Sequence, residues 1–439
     1  MGFDFPRDWR ILAVEECVEA LIDYRGKSPE KTTFGIPLIT AKVVKNGSIA
    51  EPDEYIAADA YEEWMRRGLP QCGDVVMTTE APLGEIAQLD ARKVALAQRL
   101  ITLRGKRGLL DNTYLKYLMQ SDFVQTQLRA RATGTTVLGI RQSELRRVRL
   151  AVPPLVEQHA IASTLDILDK KIDLNRRTNE TLEGIARAVF KSWFVDFDPV
   201  RAKAEGRQPT GMDAETAALF PTAFSHTDNG PIPKRWAVRP LADLASYLNR
   251  GIAPTYLTEG GVMVINQKCV RDHRVAFDQA RRHDPAARAV AGRELQEGDI
   301  LVNSTGEGTL GRVAQVLVLP EVAIVDTHVT VVRPNRTDAT VHFLGLEMLG
   351  RQAEIASLAE GTTGQTELSR ARLGGLQVLV PPQEVQTRFD ALVSPLRARM
   401  ELNGNQAASL VALRDALLPK LLSGELRIRD AEKMVEAHV

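Results

Sequence analysis

Cysteine is scarce in this sequence, because its 439 residues include only Cys17, Cys72 and Cys269. Three distant cysteines exclude a disulfide scaffold and fit a reducing compartment. Long apolar runs are also missing, since Val313–Val325 is interrupted by polar residues and a proline and is too short to span a bilayer. The first ten residues include two Asp and two Arg and no apolar segment, so they do not resemble a signal peptide. We therefore expect a cytoplasmic protein without a membrane role.

The formal net charge of the whole chain is zero, but individual segments carry a net charge. Lys and Arg together number 56, and so do Asp and Glu. Residues 1–90 hold 9 basic and 17 acidic side chains, whereas residues 91–149 hold 13 basic and 3 acidic ones. The second segment could form a basic surface for an acidic partner such as nucleic acid. The alternative is that the two segments neutralise each other at short range.

The sequence is a tandem duplication with an offset of 225–228 residues. Matching segments follow the same order in both halves, which chance does not produce. The matches pair Pro6–Trp9 with Pro233–Trp236, Gly73–Met77 with Gly298–Val302, Leu83–Gln88 with Leu310–Gln315, Gly134–Thr136 with Gly361–Thr363, Val152–Pro154 with Val380–Pro382, and Leu174–Asn175 with Leu402–Asn403. The repeated units lie near residues 1–198 and 231–425.

The first part of each unit mixes β-rich and helical segments, which is typical of an α/β (α+β) globule. Residues Asn112–Ala132 have the pattern of one helix. The predicted strands are Ile36–Val44, Asp74–Met77, Arg99–Leu103, Val148–Val152, Val262–Ile265, Asp299–Asn303, Val313–Leu319 and Val329–Val332.

A heptad pattern follows each globule. The apolar stripe Ile161–Trp193 alternates spacings of three and four residues, and it recurs 228 residues later as Phe389–Leu421, with Arg414 as one departure. A continuous helix over Gln158–Asp196 would be about 58 Å long at ~1.5 Å per residue. The pattern therefore predicts two long helices, one after each globule.

These two helices are predicted to pair with each other as an antiparallel coiled coil. The alternative is that each stripe packs only on its own domain. Asn175 and Asn403 are polar residues at equivalent stripe positions, and a buried Asn in a coiled coil fixes register. Alternatively, both reach solvent at a frayed seam. Pro395 is expected to bend the second helix, and Pro419 to bend or end it.

No catalytic motif is complete in this sequence. Gly306–Gly311 fits G-x-G-x-x-G but precedes a β-rich segment, whereas a dinucleotide fingerprint must open a helix. A Walker A motif, a nucleophile elbow and the Asn/Asp-Pro-Pro-Tyr/Phe motif of amino-methyltransferases are all missing. Cys269, His273 and His283 have loose metal-ligand spacing without an evident fourth ligand. We expect no catalytic residue and no metal site, and we assign any chemistry to a partner.

Several segments resemble the specificity subunit of Type I restriction–modification systems. They are Pro153–Gln158, Leu168–Asn175, Phe190–Val200, Arg201–Gly211 and Gly230–Trp236. Phe190–Val200 is the most specific of them, and the resemblance covers essentially the whole chain. The second copy departs from the resemblance, since Pro-Pro-Gln-Glu-Val-Gln replaces Pro-Pro-Leu-Val-Glu-Gln. The sequence therefore does not identify the residue that caps the start of the second helix.

The resemblance implies that target-recognition domains alternate with coiled-coil helices. The expected order is a first recognition domain at 1–152, a first helix at 153–198, a linker at 199–232 with one short helix at Asp213–Leu219, a second recognition domain at 233–380, a second helix at 381–425 and a frayed tail at 426–439.

The resemblance also implies a function. The chain would be a non-catalytic subunit that reads a bipartite, asymmetric site on double-stranded DNA. It would position two modification (methyltransferase) subunits and, where present, restriction (translocase/endonuclease) subunits of a bacterial defence system. It would hold no cofactor itself, because S-adenosylmethionine would bind to the modification partner, and ATP and Mg to the restriction partner.

The chemistry of DNA recognition selects candidate contacts. Arg and Lys pair with guanine edges and phosphates, Asn and Gln pair with adenine, and small hydroxyl or Gly loops let backbone amides approach phosphate. The candidates are Lys42, Thr78, Thr79, Arg99, Gly134, Thr135, Thr136 and Arg141 in the first unit, and Lys268, Asn303, Ser304, Thr305, Arg312, His328, Gly361, Thr362 and Thr363 in the second. The alternative for each side chain is solvated surface, and for the Gly-Thr-Thr loops it is a turn that serves packing only.

Two other functions are compatible with the repeat. A coiled-coil scaffold could present two protein-binding globules without a DNA role, or the chain could be part of a split restriction–methylation enzyme. A salt-dependent DNA-binding assay and a methyltransferase gene beside this one would distinguish these functions from DNA recognition.

Overall fold

The computed structural model describes residues 5–24, 26, 28–227, 230–361 and 366–438. The chain divides into two compact units: unit 1 is Met1–Arg176 with Asn405–Val439, and unit 2 is Arg177–Gly404. These boundaries fall inside the two long helices, so each helix contributes residues to both units. The expected division treated the helices as separate segments, whereas their apolar residues belong to the cores of the globules.

Unit 1 is built on a four-stranded antiparallel sheet and a three-stranded sheet. In spatial order the first consists of Val18–Asp23, Leu100–Gly105, Val75–Thr79 and Leu83–Gln88, and the second of Tyr55–Ile56, Ile36–Ile39 and Ala95–Leu96. Two further strand pairs are Arg10–Ala13 with Arg149–Val152, and Val44–Lys45 with Ser48–Ile49. The strand expected over Ile36–Val44 is interrupted, because the chain turns where the Val43 amide donates to the Thr40 carbonyl at 3.2 Å.

Several short helices of unit 1 precede the first long helix. They are Val14–Cys17, Tyr61–Trp64, Asn112–Gln120, Asp122–Arg131 and Gln142–Arg146. The single helix expected over Asn112–Ala132 is wrong, because Ser121 has an extended backbone and its hydroxyl accepts a hydrogen bond from the Val124 amide. Serine is a favoured N-cap residue, so it ends one helix and starts the next.

Unit 2 repeats this arrangement with the same strand order. Its first four-stranded sheet is Ala245–Arg250, Val329–Pro334, Ile300–Asn303 and Val313–Gln315, and its second is Tyr256–Leu257, Arg281–His283, Val262–Ile265 and Ala323–Val325. The remaining pairs are Ala237–Pro240 with Gln377–Val380, Val270–Arg271 with Arg274–Val275, and Phe224–Thr227 with Gly230–Pro233. The first sheets of the two units match strand for strand, which confirms the predicted duplication. The strand expected over Val313–Leu319 is shorter than predicted, since it ends at Gln315.

The linker expected at 199–232 is an ordered part of unit 2. The helices of this unit, apart from the long ones, are Asp198–Ala204, Ala214–Leu219, Val341–Gly350, Gln352–Ser357 and Arg370–Gly374, with 3₁₀ turns at Leu241–Leu244 and Phe277–Gln279. The predicted helix after Asp213 is confirmed, because the Asp213 carboxylate accepts from the Thr216 amide at 2.7 Å. Arg388 donates to the Thr216 hydroxyl at 2.6 Å and to Asp213 at 2.8 Å, so this helix is fixed to the second long helix.

Each unit buries its own apolar core, and the long helices are part of both. In unit 1 Tyr114 and Tyr117 are buried together with Leu165 and Leu417. In unit 2 Phe194 meets Phe343 and Phe389 edge to face, with ring centroids 5.1 and 5.0 Å apart. Such aromatic pairs add about 0.5–1.5 kcal/mol each beyond the burial of their area.

One buried ion pair braces the four-stranded sheet of each unit. Arg104 donates to both carboxylate oxygens of Asp74 at 2.7 Å, and Arg333 donates to those of Asp299 at 2.7 and 2.8 Å. Both Asp side chains are inaccessible to solvent. Each carboxylate also accepts from the amide three residues before it, at 2.8 Å. The same bidentate geometry thus holds the same strands in both repeats.

A buried glutamine near the start of each long helix fixes it to its globule. Gln158 accepts from the Asp111 amide at 2.9 Å and donates to the carbonyls of Leu109 and Pro153 at 2.9 and 2.7 Å. Gln386 repeats this contact, since it accepts from the Thr340 amide at 2.9 Å and donates to two carbonyls. The altered sequence after Pro381 therefore preserves the polar anchor of the second helix.

The two long helices are continuous over most of the predicted ranges. The first long helix is Leu155–Phe190, followed by a π-helical turn at Lys191–Val195, and the second long helix is Gln383–Leu422. Pro419 does not end the second helix, which continues for three residues beyond it. Most stripe residues are buried, including Leu165, Leu168, Leu410 and Leu417.

Within each unit, segments of the two long helices run antiparallel, as predicted. In unit 1 the Asn175 amide group donates to Gln406 at 3.0 Å, and in unit 2 that of Asn403 donates to Asn179 at 2.8 Å. Asn175 and Asn403 are both buried, so neither lies at a frayed seam. Their cross-helix hydrogen bonds support the predicted role in register, which stays a prediction.

The frayed tail expected at 426–439 is wrong for the residues that the structure describes. Ile428–Glu436 is a helix, and its Ala431 and Val435 are buried in the unit 1 core. Ile428, Ala431 and Val435 are spaced three and four residues apart, which places them on one face of the helix. The charged composition of the segment hid this short apolar stripe.

We expect the buried ion pairs to dominate the stability of the sheets. Asp74→Ala leaves the Arg104 guanidinium without its partner and should lower the free energy of unfolding by about 3–5 kcal/mol. The matched control is Asp90→Ala, which removes an exposed pair with Arg92 and should cost below about 1 kcal/mol. Urea unfolding followed by circular dichroism measures both, and equal losses would contradict the assignment.

Candidate nucleic-acid interface

One end of the four-stranded sheet in unit 1 joins three segments that are distant in sequence. The Thr79 amide donates to the Arg99 carbonyl at 2.9 Å, and the Ile140 amide donates to the Thr79 carbonyl at 3.0 Å. The exposed loop Gly134–Gly139 is therefore held beside Arg99 and the end of the strand Val75–Thr79. Three of the sequence-predicted segments thus form one surface.

Unit 2 builds the same frame with other residues. The Ser304 amide donates to the His328 carbonyl at 2.8 Å, and the Leu368 amide donates to the Ser304 carbonyl at 2.8 Å. Arg250 also donates to the Leu368 carbonyl at 2.8 Å, which fixes the position of Leu368. The two frames therefore share these two backbone hydrogen bonds and differ in their side chains.

The Gly-Thr-Thr loop of unit 1 needs its glycine. Gly134 has φ +118°, and a Cβ there would lie 2.1 Å from the Val137 carbonyl oxygen. Thr135, Thr136, Val137 and the following leucine are all exposed. Two adjacent exposed apolar side chains at this loop were not recognised from the sequence, because isolated apolar residues in a polar loop carry no periodic signal. They extend the candidate surface beyond the two threonines.

Two arginines border the loop in unit 1. Arg99 forms an ion pair with Glu80 at 3.0 Å, and both side chains are about half exposed. Arg141 is exposed just before the helix Gln142–Arg146, and it has no ion-pair partner among the described residues. Arg141 is therefore the more available of the two cations, whereas Arg99 must exchange its carboxylate for a phosphate or base.

The unit 2 surface carries a hydroxyl, an imidazole and a guanidinium. The Thr305 hydroxyl and the His328 Nδ1 are 2.6 Å apart, and Arg312 donates to the Gly308 carbonyl at 2.9 Å. Gly361 is exposed with φ +138°, and Thr362–Thr363 lie outside the described residues. Thr305, His328 and Arg312 can offer donors to a ligand at this surface.

Lys42 and Lys268 occupy equivalent turns before the small hairpins of the two units. Lys42 donates to Asp53 at 2.5 Å, and this hydrogen bond raises the pKa of the lysine. The Lys268 side chain is exposed, and its amide donates to the Asn266 side chain at 2.8 Å. Asn303 reaches the carbonyl of the residue before Lys268, so this turn adjoins the unit 2 surface.

Four candidate contacts are inside the sheets and are inaccessible to a duplex in this structure. Thr78 accepts from the Glu85 amide at 2.9 Å, and the Thr79 side chain is also buried. Asn303 donates to two carbonyls at 2.9 and 3.1 Å, and the Ser304 hydroxyl lies 2.5 Å from that of Thr330. These side chains hold the frame of the surface. Sequence could not separate them from exposed neighbours, because strand ends and loops share the same small polar residues.

The basic segment 91–149 is neutralised only in part by the acidic segment before it. Arg104 pairs with Asp74, and Arg149 approaches Glu16 at 3.8 Å. Arg131 and Arg147 both approach Glu144, at 3.5 and 3.3 Å. The positive charge that stays exposed is therefore smaller than the sequence count, and part of it lies at the loop surface.

The motifs for nucleotide and metal binding have other roles. Gly306–Gly311 is a loop that leads into the strand Val313–Gln315, so no helix N-terminus is available for pyrophosphate. His283 uses both ring nitrogens in contacts with the backbone of Thr255 and Arg288. No group of three potential metal ligands occurs among the residues that the structure describes. In the same part of the chain no helix is long and apolar enough to cross a membrane.

Sequence comparisons show what this chain is similar to. A family model described as the Type I restriction modification DNA specificity domain matches residues 6–184. The Type I restriction enzyme MjaIX specificity subunit of Methanocaldococcus jannaschii is 26% identical over 433 residues, which cover 97% of this chain and 95% of the relative. The HindI specificity subunit of Haemophilus influenzae is 26% identical over 319 residues, which cover 63% and 69%.

A solved structure has the same fold. The crystal structure of a Type I restriction–modification S subunit from M. genitalium aligns with a TM-score of 0.61 and 17% sequence identity, over 96% of this chain and 97% of that one. The mixed α/β architecture with two long helices is thereby confirmed.

We expect Arg141 to contribute to DNA binding through the unit 1 surface. Arg141→Ala should weaken binding to duplex DNA by about 1–3 kcal/mol and relax one base position if Arg141 reads a guanine. A phosphate contact would instead lower affinity for all sequences and reduce the salt slope of binding by about one. Fluorescence anisotropy over a salt series, with sequencing of duplexes selected from a random pool, measures both effects.

The matched control is Arg107→Ala. Arg107 is exposed in the same basic segment, but it follows the opposite end of the strand Leu100–Gly105, about 20 Å away at ~3.3 Å per residue. The control should leave affinity and sequence preference unchanged. Equal behaviour of the two variants would remove Arg141 from the interface.

Proposed function

We propose that this chain, which is similar to the specificity subunits of Type I restriction–modification systems, reads one half of a split DNA target with each of its two units. The observation that carries this proposal is the duplicated frame of backbone hydrogen bonds. In both units the end of one strand bonds to the same two neighbouring segments, with distances of 2.8–3.0 Å. A frame that occurs twice can offer two sets of side chains to two separate half-sites.

The half-sites should differ in sequence, because the side chains at equivalent positions differ. Arg99 corresponds to His328, and Arg141 corresponds to Ser369. Arginine favours guanine with two hydrogen bonds, whereas Ser accepts either base type and imidazole offers a single donor or acceptor per nitrogen. The target should therefore be asymmetric rather than a palindrome.

We assign unit 1 contacts to Lys42, Arg99, Arg141 and the loop Gly134–Thr136. The proposed unit 2 contacts are Lys268, Thr305, Arg312, His328 and the loop Gly361–Thr363. Backbone amides of the two Gly-Thr-Thr segments would bind phosphate and fix the position of the duplex, while the longer side chains would reach base edges. The basic side chains would add a salt-dependent affinity for the phosphate backbone.

Methyl transfer and cleavage are proposed to take place on partner subunits. The modification subunits would bind S-adenosylmethionine, and restriction subunits, where present, would use ATP and Mg. This chain would hold no cofactor and would act in the cytoplasm, where the host DNA is. The missing amino-methyltransferase motif supports this division of labour.

The number of modification subunits is proposed to be two, because the long helices carry the same exposed feature once in each repeat. Leu174 and Leu402 occupy equivalent positions, and each is more than half exposed despite its apolar side chain. We take these leucines as candidate docking residues, because an exposed apolar side chain gains free energy when a partner buries it. One such leucine in each repeat supports two equivalent partners rather than one. Nearby Lys170, Lys171 and Arg176 would frame the first of these docking sites with positive charge.

The proposal is tested by reconstitution with the modification subunits of the same system. The purified chain with S-adenosylmethionine and DNA should transfer no methyl group, because its sequence has no amino-methyltransferase motif. The modification subunits alone should methylate weakly or without sequence preference, and adding the chain should direct methylation to a split motif. Methyl transfer by the lone chain, or the same pattern with and without it, would contradict the proposal. The second outcome would favour a scaffold role.

A further inference from the structure

In unit 1 a carboxylate of the first long helix faces a guanidinium of the second. Asp169 accepts from Arg414 at 3.0 Å, from Lys116 at 3.0 Å and from the Tyr117 hydroxyl at 2.7 Å. The side chains of Asp169 and Arg414 are each 22% exposed. Burial opposes ionisation of Asp169, but the neighbouring donors outweigh it and lower the pKa of this carboxyl. Arg414, a charged residue in the second apolar stripe, therefore has a charged partner across the helix pair.

Unit 2 contains an ion pair of the same type between the two long helices. Arg397 of the second long helix donates to Glu183 of the first at 2.5 Å. Their side chains are 10% and 17% exposed, and Arg187 also donates to Glu183 at 2.9 Å. Both pairs thus take their acid from the first long helix and their base from the second.

The repeat shows which charged residues would face each other if two copies of the same helix paired. Asp169 and Arg397 occupy equivalent positions, since they are 228 residues apart, as are Leu174 and Leu402. In unit 2 Arg397 faces Glu183. If two copies of the first long helix paired in that register, Asp169 would take the place of Arg397 and would face Glu183. Two carboxylates would then meet at a mostly buried position.

The converse substitution applies to the second long helix. In unit 1 Asp169 faces Arg414. If two copies of the second long helix paired in that register, Arg397 would take the place of Asp169 and would face Arg414. Two guanidinium groups would meet without a carboxylate. Each like pairing therefore places like charges together, whereas the pairing of different helices places opposite charges together.

We propose that the ion pairs Asp169–Arg414 and Glu183–Arg397 select pairing between the first and second long helices and oppose pairing between the same helices of two copies of this chain. Charged residues beside an apolar seam determine partner choice in coiled coils. Removing one partner of a buried pair is strongly unfavourable, and replacing it with a like charge is worse. The selection therefore comes from the rejected pairings as much as from the accepted one.

Selective pairing matters during synthesis, because the first long helix is made before its partner helix exists. About 190 residues separate Phe190, where the first long helix ends, from Gln383, where the second begins. At about 5–20 residues per second, the first helix waits roughly 10–40 s for its partner. Neighbouring nascent chains expose the same apolar stripe during this time. A stripe marked with Asp169 and Glu183 resists pairing with its own copy until the arginines of the second helix are made.

A thiol at position 176 reports on the rejected pairing in the full-length chain. Arg176 is exposed and lies seven residues from both Asp169 and Glu183, so it shares their heptad position. In a pair of first helices that sets Asp169 against Glu183, residue 176 would face its own copy. Arg176→Cys, in a chain with Cys72→Ser to remove the exposed native thiol, therefore forms a disulfide between two chains only in that pairing.

The deciding variant is the exchange Glu183→Arg with Arg397→Glu. It keeps an ion pair within the chain but places opposite charges together in both like pairings. After renaturation at high protein concentration in a glutathione buffer, we expect disulfide-linked dimers to increase at least about fivefold over the chain with native charges. The control exchange Arg282→Glu with Glu321→Arg reverses an exposed pair outside the long helices and should leave the yield unchanged.

A milder variant keeps the test decisive if the exchange impairs folding. Glu183→Gln retains a hydrogen-bond acceptor for Arg397 and removes one of the two facing carboxylates, so the dimer yield should rise about twofold. Thermal unfolding verifies that each variant is folded. The proposal is overturned if the native chain cross-links as readily as the charge exchange, or if neither the exchange nor Glu183→Gln changes the yield.

Discussion

Two long amphipathic helices must bury their apolar faces, and the core of each unit covers part of both helices. Burial contributes about 25 cal/mol per Å² of apolar area, so a stripe of eight apolar side chains is a large driving force. Part of each stripe enters the core of one unit, as Leu165 and Leu417 do in unit 1 and Phe389 does in unit 2. The helices are therefore integral parts of the globules rather than spacers attached to them.

Each globule adds polar anchors that determine which surface the helices present. Gln158 and Gln386 bond the helix starts to their globules, and Asp74 and Asp299 hold the sheets whose ends carry the proposed DNA surfaces. A buried polar group is stable only when its partners are in place. These contacts thus determine the position of the loops without touching the ligand. The side chains around the frame differ between the two units, which is what a duplicated reader of two different half-sites would require.

The periodic features of this protein could be predicted from its sequence. The repeat, the two long helices and most central strands are visible because apolar spacing reports burial directly. The break at Ser121 and the buried positions of Thr78 and Asn303 could not be predicted, because the same residue types cap helices, end strands and line binding loops. The partners in the ion pairs between the long helices could not be predicted from the sequence either. Asp169 and Arg414 are 245 positions apart, and only the folded chain brings them to 3.0 Å.

The central claim is that the duplicated units read two different half-sites of one DNA target. Sequencing of methylated bases in the genome of a host with and without this gene tests it most directly. The account predicts that deletion removes methylation from one split motif, with two unlike specified halves separated by a spacer of fixed length and unspecified sequence. An unchanged methylation pattern, or the loss of a contiguous or palindromic motif, would contradict it.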